Sequence, residues 1–159
     1  MGYNLSTLTN LTVLSGYYFI LLGKSYNTYG RSGNALYNKF DEIAERIGLN
    51  SAIVKGHKSE KIIHELIYTI QTKPWFEEAY ITLLKTEPAL VIMKPHPKEF
   101  EFDENDMFAV LSFDALDSIY SSEYDLIRDI IALATRNDTG ILEKAINMKT
   151  GVNLLRKLQ

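Results

Sequence analysis

The stretch LTVLSGYYFILLG, residues 11–23, decides how this chain is read. Its apolar side chains crowd too closely to declare a period by themselves. Taken with Leu5 and Leu8 upstream, Leu11, Val13, Leu14, Tyr17, Tyr18, Ile20, Leu21 and Leu22 read as a first helix, buried on most sides and stopped at Gly23. The continuous apolar run is only Tyr17–Leu22, whereas a membrane span takes about 20 apolar residues. The first charged side chain is Lys24, so residues 1–23 lack the basic start of a secretory leader. The expectation is a soluble, cytoplasmic protein without a membrane segment.

Downstream, Leu36, Phe40, Ile43, Ala44 and Ile47 recur along one face of a second helix closed by Gly48. Ser51–Lys55 reads as a short helical turn broken at Gly56. Ser59 then caps a third helix with Ile62, Ile63, Leu66, Ile67 and Ile70 inward. Pro74 suits the first position of a fourth, running to about Lys85.

The texture changes at Pro88. ALVIM (89–93) reads as a buried strand, EFEFD (99–103) alternates, and FAVLSF (108–113) returns as a hairpin partner. Ser122 caps a fifth helix carrying Leu126, Ile127, Ile130, Ile131 and Leu133, RNDTG (136–140) ends it, and one or two short helices follow. The predicted fold is mostly α (α+β): a helical bundle with a small three-stranded antiparallel β insert near residues 89–113. It forms one domain over 1–159, with a helical body at 1–87 and 114–159 and the insert at 88–113.

Composition agrees with one globular unit. Across 159 residues, 46% are hydrophobic and 23% charged, which is enough apolar surface to bury a core. There is no cysteine, so disulfides, thiolate metal sites and cysteine nucleophiles are excluded. The net charge of −3 is unevenly spread: residues 1–40 hold Lys24, Arg31 and Lys39 and no acid, while residues 99–138 carry 11 acidic side chains against Arg128 and Arg136. Separated signs allow a basic face on an acidic chain.

No complete catalytic or metal motif appears. GKS at 23–25 suggests a phosphate loop, but Tyr18 stands where its first glycine belongs. His57, His64 and His96 lack the spacing that puts two ligands on one helix face. EFEFDENDMF (99–108) lacks the central glycine of a calcium loop. No G-x-S-x-G elbow occurs. The expectation is a non-enzyme without metal or cofactor.

Two signals remain. Lys24, Tyr26, Tyr29, Arg31, Tyr37 and Lys39 mix cations, which neutralise phosphates, with phenol rings, which stack on unpaired bases. Lys55, Lys58 and Lys61 form a second candidate patch. The nine together are the candidate nucleic-acid-binding residues, weighed against tyrosines that merely pack beneath a surface loop. Separately, DEIAERIGLNSAIVKGHK (41–58) resembles a helix-turn-helix: Ala44 at the helix contact, Gly48 at the turn and Val54 in the recognition helix.

The whole layout resembles the small subunit of archaeal type I-A CRISPR effector complexes. The points of contact are LTVLSGYYFILLGKSYNTYGRSGNAL (11–36), read as an apolar helix, a tyrosine-rich basic loop and a second helix, and the insert ALVIMKPHPKEFEFDENDMFAVLSF (89–113). The resemblance implies a non-catalytic subunit touching single-stranded RNA or DNA, assembled with other subunits and copies of itself in antiviral defence. Two alternatives stand beside it: a helix-turn-helix DNA-binding regulator using residues 40–58, and an acidic inhibitor or immunity protein docking residues 99–138 on a basic partner.

Overall fold

Tyr18–Leu22 is a strand, not a helix, and it lies inside a sheet with every side chain buried. The computed structural model describes residues 1–5, 7–23, 30–56, 59–71, 78, 88–94, 96, 107–146 and 152–154. In chain order these form β1 (Gly2–Leu5), a 3-10 turn (Leu8–Asn10), β2 (Tyr18–Leu22), α1 (Gly30–Asn38), α2 (Phe40–Arg46), β3 (Ala52–Gly56) and α3 (Ser59–Ile70). Then come β4 (Ala89–Lys94), β5 (Met107–Ser112), α4 (Phe113–Ile119), α5 (Glu123–Arg136), α6 (Gly140–Ile146) and β6 (Val152–Leu154).

The mostly helical bundle with a three-stranded insert is therefore overturned. The strands make one mixed sheet of six in the order β1-β3-β2-β4-β5-β6. β3 pairs in parallel with both β1 and β2, while β2–β4, β4–β5 and β5–β6 are antiparallel. ALVIM and FAVLSF do lie side by side, as the antiparallel pair β4–β5 with Val91 opposite Val110, inside this sheet rather than in an appendage, while the expected hairpin of EFEFD with FAVLSF takes in residues outside the described ones.

The misreading has a physical cause. A strand covered on both faces needs apolar side chains at every position, so it shows no alternation against water. Phe19 and Leu21 point to one face with Ile53, Leu90, Ile92 and Ala109; Tyr18, Ile20 and Leu22 point to the other with Val54, Val91, Met93 and Phe108. Length and flanks carry the distinction that periodicity cannot: six apolar residues between Gly16 and Gly23 fit a strand better than a helix. Ala52–Gly56 went the same way. Where a helical turn was expected, β3 is an interior strand between β1 and β2.

Helices cover the two faces separately. Leu36, Phe40, Ile43, Leu116, Ile130 and Leu133 pack on the first, bringing α1, α2, α4 and α5 there. Leu8, Ile62, Ile63 and Leu66 pack on the second, with α3. The expected second helix exists as α1 and α2, bent at Lys39, and Gly48 just beyond it has φ +83°. The cap on α5 is as expected: the Ser122 hydroxyl accepts from the Tyr124 amide at 3.2 Å, and Asn137 closes the helix in the left-handed region at φ 54°. The expected fourth helix and the EFEFD strand lie outside the described residues. Among the described residues no helix is long and apolar enough to cross a membrane.

Candidate functional site

The connection after β2 passes to the face that carries α1 and α2, whereas the connection after the adjacent, parallel β3 passes to the face that carries α3. Two neighbouring strands whose following helices diverge open a crevice between their carboxyl ends, the place where open α/β sheets hold ligands. Gly23 and Gly30 bracket the first connection, Gly56 and Ser59 the second.

Three of the nine candidate residues are described on elements that adjoin these strand ends. Arg31 is in the first turn of α1, Lys55 is the penultimate residue of β3, and Lys61 is an exposed residue near the start of α3. Lys24, Tyr26, Tyr29 and Lys58 belong to the two connections and lie outside the described residues. Tyr37 and Lys39 are elsewhere: eight residues along a helix put Lys39 about 12 Å from Arg31. Tyr37 is half-buried, its ring edge-on to Phe113 with centroids 6.3 Å apart. Lys39 sits 3.8 Å from Glu42.

Other duties also claim part of this set. The Lys55 ammonium lies 4.4 Å over the Phe40 ring. The Arg31 guanidinium donates to the backbone carbonyls of Asp117, at 3.2 Å, and of Tyr120. It thereby ties α1 to the carboxyl end of α4, where a cation meets the unpaired helix carbonyls favourably. In return Asp117 Oδ1 accepts from the Ser32 amide at 2.8 Å, and Gly30, at φ +74°, leaves room for that carboxylate: a Cβ there would stand 2.5 Å from Asp117 Oδ2. Ser32 is fully buried, yet its hydroxyl has no hydrogen-bond partner.

A hollow of about 220 Å³ lies elsewhere, between α2 and α5. Lys39, Glu42 and Arg46 line one side, and Glu123, Tyr124 and Arg128 the other. Tyr124 is 69% exposed. Cations and acids nearly balance: Lys39 and Arg46 share Glu42, and Arg128 reaches Asp125 at 3.2 Å, so the hollow has little net attraction for an anion.

Behind it α4, α5 and α6 are joined by Asp129, which accepts from the Tyr120 phenol and the Lys144 ammonium, each at 2.7 Å. Burial, then the hydrogen bond to Asp129, pushes the Tyr120 phenol well above the ordinary phenol range. Burial pushes the Asp129 carboxyl up, but the bonds from Lys144 and Tyr120 and the charges of Lys144 and Arg128 outweigh it and hold the group below the usual carboxylate range. Both shifts describe a structural lock between helices.

The helix-turn-helix resemblance fails at its second element. Ala52–Gly56, where the recognition helix should run, is an interior strand whose Val54 is fully buried in the sheet. The first helix on which the small-subunit layout rests is likewise absent. Sequence reading missed Ser32 and Asp117, 85 residues apart, because only the fold brings them together. His64 is exposed on α3, His96 is buried with Nε2 2.9 Å from the Leu11 carbonyl, and His57 lies outside the described residues. Among the described residues no cluster of three histidine or carboxylate groups could hold a metal ion. No protein family, curated protein or solved structure matches this chain.

Proposed function

We propose that this chain is a non-catalytic, nucleic-acid-associated protein that holds single-stranded RNA or DNA across the carboxyl ends of β2 and β3. The observation that carries this reading is a coincidence of topology and composition. The parallel neighbours β2 and β3 are followed in sequence by GKSYNTYG (23–30) and GHKS (56–59), which hold Lys24, Lys58, Tyr26 and Tyr29, and no acidic side chain occurs before Asp41. Lysines neutralise phosphates and release counterions, while tyrosine rings accept bases of any identity. So few cations favour a weak, sequence-tolerant grip, in keeping with a net charge of −3. A cytoplasmic setting and assembly with other protein subunits or further copies of the chain belong to the same reading; the chain without cysteine suits a reducing compartment.

The test is fluorescence anisotropy of a labelled single-stranded oligonucleotide against salt. Replacing Lys24 and Lys58 by alanine should weaken binding and reduce the slope of log affinity against log salt by about 1.4, two phosphate contacts at about 0.7 each. Lys39→Ala, at the far end of α1, should change neither. Unaltered binding by the double variant refutes the reading.

A further inference from the structure

Ser32 and Asp117 describe a site that the nucleic-acid reading does not use. α1 begins at Gly30 and its first-turn amide at Ser32 points at a carboxylate oxygen of Asp117, 2.8 Å away. First-turn amides have no partner within their own helix, and together with the helix dipole they favour an oxyanion. The Ser32 hydroxyl is the second, independent feature. It is a donor with 0% exposure and no partner, an arrangement that folded proteins rarely leave without a use. The Cα–Cβ bonds of a helix tilt toward its amino end, so the Ser32 Cβ lies on the side of the first-turn amides and rotation about χ1 is all that brings its hydroxyl to an anion held there. The third feature is Arg31, whose guanidinium stands beside the site and bonds the carbonyls of Asp117 and Tyr120.

We propose that the amino end of α1 is a seat for a small oxyanion, inorganic phosphate or a phosphate monoester, which the chain's own Asp117 carboxylate fills until an anion displaces it. Asp117 bonds the Ser32 amide through Oδ1 but leaves the Ser32 hydroxyl without an acceptor. A tetrahedral phosphate has oxygens for both donors. Displacing Asp117 removes one of the ties between α4 and α1, so occupation of the seat is coupled to the position of α4. The apparent affinity of the parent is its intrinsic affinity reduced by the small fraction of molecules in which Asp117 has swung out.

The probe is inorganic phosphate, followed by calorimetry and by the backbone amide resonances of Ser32 and Gly33. Asp117→Asn should bind phosphate about tenfold tighter than the parent, the factor by which the internal carboxylate suppresses binding. Adding Ser32→Ala to it should abolish the gain. Asp114→Asn, on the exposed face of the same helix, makes the same change in net charge and should leave affinity unaltered. Equal tightening by Asp114→Asn, or indifference to the loss of the Ser32 hydroxyl, overturns the proposal. In the parent, phosphate at tens of millimolar should shift the Ser32 and Gly33 amides, and unmoved resonances also overturn it, whether or not the variants fold. A short strand with a 5′-phosphate competing better than its 5′-hydroxyl twin assigns the seat to a strand end; equal competition assigns it to the free anion. Neither outcome depends on Lys24 or Lys58, so this test and the salt-slope test fail separately.

Discussion

The phenol of Tyr120 and the ammonium of Lys144 converge on the same oxygen, Asp129 Oδ2, each at 2.7 Å. The side chain of Asp129 is only 13% exposed, so the bond from Tyr120 is made largely out of water. Three helices are fastened at this one carboxylate, and its loss is felt in all of them.

Stability should therefore depend on pH through Asp129. Its folded carboxyl is held below the usual range, so its contribution is complete above the unfolded value of about 3.9 and is lost as pH falls through the lower folded value. Between neutral pH and about 5 the melting temperature should be flat with respect to this group. Below about 4 the parent should lose stability more steeply than Asp129→Asn, which has no such proton to take up. Tyr120→Phe, which removes a hydrogen bond to a charged group, should cost about 2 kcal/mol near neutral pH, measured by denaturant unfolding.

Placing residues 18–22 in a central strand has its own consequence. Amide hydrogen exchange across Tyr18–Leu22 and Ala89–Lys94 should rank with the slowest in the chain, opening only with global unfolding, because these strands are paired on both sides. Phe19→Ala should cost about 3–5 kcal/mol, as expected of a ring removed from a filled core. Fast exchange at Phe19–Leu21 would contradict the central placement.

What could be read in the chain follows from which signals are local. Ser122 announced α5 because a cap is written within three residues of the helix that it starts. Ile62, Ile63 and Leu66 announced α3 because only one of its faces is buried, which leaves a helical period visible. The ALVIM and FAVLSF runs announced strands, which pair as β4 and β5. Tyr18–Leu22 and Ala52–Val54 did not announce strands, because helices on both faces of the sheet erase the alternation. With β2 and β3 unread, the parallel core was unread, and so was the divergence of connections that defines the crevice. Lys24, Tyr26, Tyr29 and Arg31 are marked in the sequence by their chemistry alone, cations interleaved with phenols. Tyr37 and Lys39 came along by proximity in sequence, and α1 carries them away from that end. Asp117 carried no local mark, since its role exists only against Ser32.

The most direct measurement is amide chemical-shift mapping of the labelled protein with a short single-stranded oligonucleotide at low salt. Perturbations should gather at Gly23, Gly30, Lys55, Gly56 and the first turn of α3, and should shrink as salt rises. Shifts confined to Lys39, Arg46, Tyr124 and Arg128, or no shifts anywhere, would contradict a ligand site at the carboxyl ends of β2 and β3.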